Sequence, residues 1–259
     1  MTRFEVPTTQ GPALLDWSAP AASPPGPTGP PPGPAGPAPG PAGPVPGPLS
    51  FVMALTHGAG GTTNAPDLLA ARDAALALGG GIALITQPYR VRGARAPGSA
   101  ERQDEAWIEI IAWLRTTGPA APSSHHKPSE AREPREPLTP LIVGGRSNGA
   151  RVACRTAAAV GARGVLALAF PLQPPARRNR GSDAVTLPPD RSPELRAAAD
   201  SGARVLVLNG DRDSFGIPPA DASTQVVVLR GETHSLSKKP AAVAEAVAAW
   251  LTGGAFLGP

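Results

Sequence analysis

Gly145-Arg146-Ser147-Asn148-Gly149 is the segment of this sequence best suited to do chemistry. It joins an apolar run, Leu141-Ile142-Val143, to a helix-forming stretch that begins at Ala150. A serine hydroxyl is a weak nucleophile until it is held clear of the backbone, beside a base and beside donors for the oxyanion. A sharp strand-to-helix turn holds it that way in strained geometry, and the flanking glycines let strand and helix pass closely. Alone, the pentapeptide is a weak signal, because many glycine-rich turns carry a serine.

Two later segments supply the partners such a serine needs. The apolar run Val205-Leu206-Val207-Leu208 ends in Asn209-Gly210-Asp211-Arg212-Asp213, and the run Val226-Val227-Val228-Leu229 ends in Gly231-Glu232-Thr233-His234. An acid beyond one strand and a histidine beyond the next give the chain order Ser, Asp, His, one of the orders in which this acyl-transfer set recurs. His234 would take the serine proton and later return it to the leaving group, while Asp211 or Asp213 would orient the imidazole. Four histidines are present. His57 precedes a glycine run and reads as a brace for it. His125 and His126 are adjacent in a charged segment and lack the spacing of metal ligands.

With these residues quoted, the sequence resembles α/β-hydrolases of the dienelactone-hydrolase-like branch. More narrowly, it is similar to a small bacterial hydrolase family related to testis-expressed protein 30 and to a subunit of the non-specific-lethal chromatin complex. The resemblance rests on His57 to Gly61, Gln87-Pro88-Tyr89-Arg90, Gly144 to Ala150, Asn209 to Phe215 and Gly231 to His234. It extends from Pro48 to the C-terminus, apart from one insertion. It implies Asp213 rather than Asp211 as the acid, because the acid of that fold stands third after a glycine. It also implies an oxyanion hole from the backbone N–H of Asn148, at a helix N-terminus, and that of Ala59, or of Gly60 if the loop is shifted. The implied activity is cleavage of an ester, thioester or lactone through an acyl-enzyme, with a small-molecule acyl substrate, no cofactor and no metal. A hydrolase-fold scaffold for protein contacts is the alternative, since the fold alone proves no activity.

Three further residues are substrate-binding candidates. Arg146, beside the serine, would attract an anionic acyl group, and the pair Tyr89-Arg90 is grouped with it. A solvated or ion-paired side chain is the plainer reading of each arginine. Cys154, seven residues after Ser147, reads as core rather than as a reactive thiol.

The elements that must position these residues follow from the apolar pattern. Two short strands, 3–6 and 13–17, would open the fold as an antiparallel edge. Strands are then expected at 51–55, 82–86, 141–143, 165–170, 205–208 and 226–229. Helices are expected at 66–78, 101–115, 150–160, 193–199 and 241–251, the second burying Trp107, Ile110, Ile111 and Leu114 at i, i+3, i+4 and i+7. Glycines 79–81 would stop the first helix and Gly253 the last. Alternating strands and helices predict a mostly parallel sheet flanked by helices. Apolar runs such as 165–170 fit strands buried on both faces. The whole chain, 1–259, reads as one α/β-hydrolase domain, with a minimal flap in the 171–192 connection.

Two segments interrupt it. Residues 18–48 are rich in Pro, Gly and Ala, with glycines at 26, 29, 33, 36, 40, 43 and 47. That alternation of threes and fours excludes collagen, and the lack of large apolar side chains predicts a disordered, PPII-rich loop. Residues 118–139, rich in Pro and charge, are expected to be a second disordered loop.

The 259 residues carry a net charge of +4, yet the arginines are scattered and the cluster Arg177-Arg178-Asn179-Arg180 is expected in a loop. Nucleic-acid binding is therefore not expected. One cysteine forbids an internal disulfide. The first ten residues lack the apolar core of a signal peptide, and no run approaches the roughly 20 apolar residues of a membrane helix. The expectation is a cytoplasmic protein with no membrane partner. A P-loop and a G-x-G-x-x-G dinucleotide fingerprint are both missing, Thr63 occupying the sixth position of the only near match.

Overall fold

The computed structural model describes residues 1–20, 49–121, 139–174, 177–178, 185–186, 189–253 and 256. Apart from their ends, the two insertions expected at 18–48 and 118–139 lie outside the described residues.

The chain opens with β1 (Thr2–Val6) and β2 (Ala13–Ser18), which pair antiparallel. Strand β3 (Phe51–Thr56), helix α1 (Pro66–Ala77) and strand β4 (Gly80–Thr86) follow, then the single turn α2 (Pro88–Val91) and the longer α3 (Ala100–Thr116). Next come β5 (Leu141–Arg146), α4 (Asn148–Thr156) and β6 (Gly164–Leu168). The chain continues through the two-residue strands β7 (Arg177–Arg178) and β8 (Val185–Thr186), then α5 (Ser192–Asp200), β9 (Arg204–Gly210), β10 (Thr224–Leu229) and α6 (Pro240–Thr252).

Eight strands form one sheet in the order β1-β2-β4-β3-β5-β6-β9-β10. Only the pairings of β2 with β1 and β4 are antiparallel. The chain leaves β3 to one side for β4 and returns to its other side for β5. Loops after β3 and β5 therefore diverge at the carboxyl edge, which is where open α/β sheets form their ligand crevice.

Both faces of the sheet are covered. Val165 and Ala167 of β6 join a core with Trp107 and Ile110 of α3, Val152 of α4 and Leu195 of α5. The alternate residues Leu166 and Leu168 join a second core with Leu68 of α1 and Val243 and Trp250 of α6. An apolar run without alternation is the sequence mark of such a strand. Helix α3 begins where the Ser99 hydroxyl accepts from the Arg102 N–H, and it buries Trp107, Ile110, Ile111 and Leu114 as the spacing requires. Among the described residues no helix is long and apolar enough to cross a membrane.

Several boundaries differ from expectation. Of glycines 79–81, only Gly79 (φ +80°) stops α1; Gly80 and Gly81 belong to β4, where a Cβ would meet the rings of Phe51 and Trp17. Helix α4 starts at Asn148 and ends at Thr156, two residues earlier and four residues earlier than expected, because the elbow itself supplies its first turn. Strand β6 stops at Leu168, and Ala169 turns the chain with a φ of +47°. Arg177 and Arg178, expected in a loop, pair antiparallel with Thr186 and Val185. Two-residue strands are too short to leave a periodic pattern. Asn179 and Arg180 lie outside the described residues.

Candidate active site

Ser147 stands between β5 and α4 with φ +53° and ψ −112°, a backbone geometry that costs energy for any residue with a Cβ. Two contacts hold it there. Its N–H donates to Leu168 O at 2.8 Å, and its carbonyl accepts from the Arg151 N–H of α4 at 3.2 Å. The flanking glycines are required by close approach. A Cβ on Gly145 would lie 2.5 Å from Thr56 O, and one on Gly149 would lie 2.7 Å from the carbonyls of both Thr56 and His57. The elbow is thus pressed against the end of β3, which brings the loop after β3 to the serine.

His234 arrives from the loop after β10. Its Nε2 lies 2.9 Å from Ser147 Oγ. Its Nδ1 lies 2.9 Å from Oδ2 and 3.1 Å from Oδ1 of Asp213, in the loop after β9. A carboxylate only accepts, so Nδ1 carries the proton and Nε2 is left to accept the serine hydroxyl. The Asp213 side chain is fully buried. Its oxygens also receive the Phe215 N–H at 2.9 Å and the Asn209 amide at 3.3 Å. Phe215 lies along the imidazole with ring centroids 4.3 Å apart. Asp211 instead accepts the Gly231 N–H at 2.7 Å and caps the neighbouring turn.

The loop after β3 closes the other side. Gly58 lies against the serine, where an added Cβ would come within 3.4 Å of Ser147 Cβ. Among the described residues, neither the Ala59 N–H nor the Asn148 N–H has an acceptor. The latter is the first amide of α4, where unpaired donors and the helix dipole favour negative charge. The loop is braced from behind. His57 Nε2 accepts the Gln87 N–H at 3.1 Å, so its Nδ1 donates to Gly58 O at 2.8 Å. Burial lowers the His57 pKa and keeps it neutral in this role. The Tyr89 phenol donates to Ala59 O at 3.0 Å, and burial pushes its pKa up to about 12.

The three substrate-binding candidates all engage the chain itself. Besides the Tyr89 bond to Ala59, Arg90 Nη1 donates to Ala94 O at 3.0 Å. Arg146 Nη2 donates to His234 O at 2.9 Å, and its Nε faces Asp67 Oδ2 at 3.1 Å. That ion pair is close but not aligned as a hydrogen bond, for among the described residues both atoms lack a hydrogen-bond partner. Cys154 is buried in the core with its thiol pKa raised by desolvation. Among the described residues no three His, Cys, Asp or Glu side chains cluster as metal ligands.

Four contributors to this site carried no role in the sequence reading: Asp67, Gln103, Asn209 and Glu232. Gln103 Oε1 accepts the Asn148 side-chain amide at 2.6 Å, and Glu232 accepts the Lys239 N–H at the start of α6. Asp67 and Gln103 lie in no motif, and Asn209 and Glu232, although inside segments that carry the resemblance, have roles that depend on partners brought near only by the fold.

A family model described as an alpha/beta hydrolase domain matches residues 50–242. The chain belongs to that family. This alpha/beta hydrolase domain has no match among curated proteins. Its fold recurs in solved structures. An α/β serine hydrolase without a lid from Xanthomonas campestris is 16% identical with a TM-score of 0.60, covering 100% of this chain and 95% of its own. Est1E from Butyrivibrio proteoclasticus is 12% identical with a TM-score of 0.59, covering 98% of each chain. A dienelactone hydrolase from Anabaena variabilis is 13% identical with a TM-score of 0.58, covering 97% of this chain and 96% of its own.

Proposed function

We propose that this alpha/beta hydrolase domain is a serine hydrolase that cleaves a carboxylic ester, thioester or lactone through an acyl-enzyme on Ser147. The observation that carries this reading is the 2.9 Å approach of His234 Nε2 to Ser147 Oγ, with Asp213 on the far side of the ring. A pure scaffold has no use for that alignment.

The steps follow from the geometry. Ser147 Oγ attacks the acyl carbonyl while its proton moves to His234 Nε2, and the imidazolium is stabilised by Asp213. The carbonyl oxygen, now an anion, takes hydrogen bonds from the N–H groups of Ala59 and Asn148. The loss of one such donor typically costs about 2.7–4 kcal/mol of transition-state stabilisation. His234 then protonates the leaving alkoxide or thiolate, or the ring oxygen of a lactone. Water, deprotonated by the same imidazole, cleaves the acyl-serine and restores the hydroxyl.

The partner in this reading is a small acyl compound; no cofactor enters any step. The narrower kinship with the testis-expressed protein 30 family belongs to the same proposal, as a resemblance of sequence. Est1E has been solved with ferulic acid bound, so a feruloyl ester and a simple lactone join nitrophenyl esters of rising acyl length as test substrates.

The test is fluorophosphonate labelling of the intact protein beside Ser147→Ala. Labelling of the first alone, on the peptide holding Ser147, is the expected result. Equal labelling of both, or of neither, contradicts the proposal.

A further inference from the structure

One buried carboxylate beside these residues takes no part in the acyl-transfer steps. Asp67 lies in the first turn of α1 and is fully buried. Its Oδ1 accepts the Leu68 N–H at 3.0 Å, while Oδ2, with no hydrogen-bond donor among the described residues, faces the Arg146 guanidinium. Arg146 is the residue before the nucleophile, and its other arm holds the backbone carbonyl of His234 at 2.9 Å. One guanidinium therefore spans the start of α1, the elbow and the loop that carries the base.

This arrangement is costly. The helix N-terminus and Arg146 both favour the ionised carboxylate, yet burial outweighs them and pushes the Asp67 pKa up to about 6. The charged or titratable groups acting on it are Arg146, from the end of β5, and His234, from the loop after β10. Buried ionisable groups held at such a cost cluster at functional sites. An arginine is the side chain suited to the span, because its planar fork presents donors in two directions at once.

We propose that Asp67 and Arg146 are positioning residues for the base: the Asp67 carboxylate anchors the Arg146 guanidinium, which fixes the His234 backbone and hence the reach of its imidazole to Ser147. This rests on the serine-hydrolase reading above. Ionised Asp67 keeps the guanidinium drawn toward α1. Protonated Asp67 no longer does, and His234 is held less firmly. Acylation then falls more steeply with acid in the wild type than in a variant whose residue 67 cannot ionise.

The experiment measures the rate of fluorophosphonate labelling across pH in the full chain. It compares the wild type with Asp67→Asn, Arg146→Lys, Ser147→Ala and the double variant Asp67→Asn/Arg146→Gln, each checked by thermal melting. In the wild type the rate carries an extra acid-side step of roughly 10- to 100-fold as Asp67 takes up its proton. In Asp67→Asn that extra step is lost, and labelling at neutral pH slows roughly 10- to 100-fold, the effect of a small misplacement of a catalytic group. Arg146→Lys keeps a cation beside Asp67, but one ammonium cannot span both partners, so it labels slowly and its acid limb no longer carries the extra step. The double variant leaves no unpaired charge, so it tests the idea even if a single variant fails to fold. It labels as slowly as Asp67→Asn and likewise lacks the extra step, because the two residues act as a unit. An unchanged pH profile in either Asp67 variant overturns the positioning role, whatever the change in melting temperature. Labelling that survives Ser147→Ala would instead overturn the hydrolase reading beneath it.

Discussion

The buried side chain of Asn209 donates to the Asp213 carboxylate at 3.3 Å and ties that acid to the sheet. The same amide nitrogen reaches Phe170 O at 3.1 Å and Gly216 O at 3.0 Å, while Oδ1 accepts the Phe170 N–H at 2.9 Å. Two amide hydrogens serve three acceptors, so β9, the turn after β6 and the acid loop share one hub. Asn209→Ala strips buried groups of their partners and is expected to lower stability by about 1–3 kcal/mol in urea unfolding. Ester turnover should fall too, because Asp213 loses its lateral support. Wild-type stability in Asn209→Ala would remove the hub from the account.

Asp213 and Asp211 are separated by their contacts. Asp213→Asn leaves the ring without an acceptor that fixes its tautomer, and kcat is expected to drop on the order of 10⁴-fold. Asp211→Asn touches only the turn amide of Gly231, so its kcat should stay within about threefold of wild type, at a stability cost of about 1 kcal/mol. Steady-state kinetics on one nitrophenyl ester distinguishes the two. Comparable losses in both variants would contradict the assignment.

Tyr89 should act on the oxyanion loop rather than on substrate selection. Tyr89→Phe removes the bond to Ala59 O, and the loop gains freedom at the donor that meets the developing anion. The expected effect is a kcat lowered by up to about 10-fold with KM little changed, the sign of an interaction made in the transition state. With the phenol pKa up at about 12, that contribution should not vary with pH across the neutral range. A raised KM with unchanged kcat would return Tyr89 to the substrate-binding set.

Asp67 also makes a stability prediction whose sign is opposite to that of a salt-bridged surface carboxylate. Its folded pKa, about 6, stands above the ordinary 3.8. Between those values the folded protein binds a proton that the unfolded chain has released, so stability falls as pH rises through this window. The two-unit displacement amounts to about 3 kcal/mol in full. The stability of Asp67→Asn relative to wild type should therefore rise by about that amount from pH 4 to pH 7. Parallel curves for the two proteins would rule this out.

Much of the fold could be read from the sequence for definite physical reasons. Buried parallel strands show as unbroken apolar runs, and α3 shows its i, i+3, i+4, i+7 stripe. The glycines of the elbow and the residues at three strand ends mark Ser147, His234 and an acid at 211 or 213 as candidates, because chemistry and close packing restrict those positions at once; only the family resemblance favours Asp213. Other features had no such mark. Helix α2 is one turn long, shorter than any period. The reason for Tyr89 appears only when the loop after β3 is folded against it. Asp67 and Arg146 are ordinary charged residues until α1 and the elbow meet; the sequence offers Arg146 as a substrate ligand or an ion-paired side chain, and in space it faces Asp67 and donates to His234 O. Residues 21–48 and 122–138 lie outside the described residues, and the expectations for them stand as expectations.

The most direct measurement is the intact mass of the protein mixed with a slowly deacylating nitrophenyl ester and quenched at short times. One added acyl group, mapped to the peptide containing Ser147, is expected to appear with a burst of nitrophenol and to be lost in Ser147→Ala and His234→Gln. Nitrophenol release with no acyl adduct, or an adduct that persists in Ser147→Ala, would contradict the acyl-enzyme proposal.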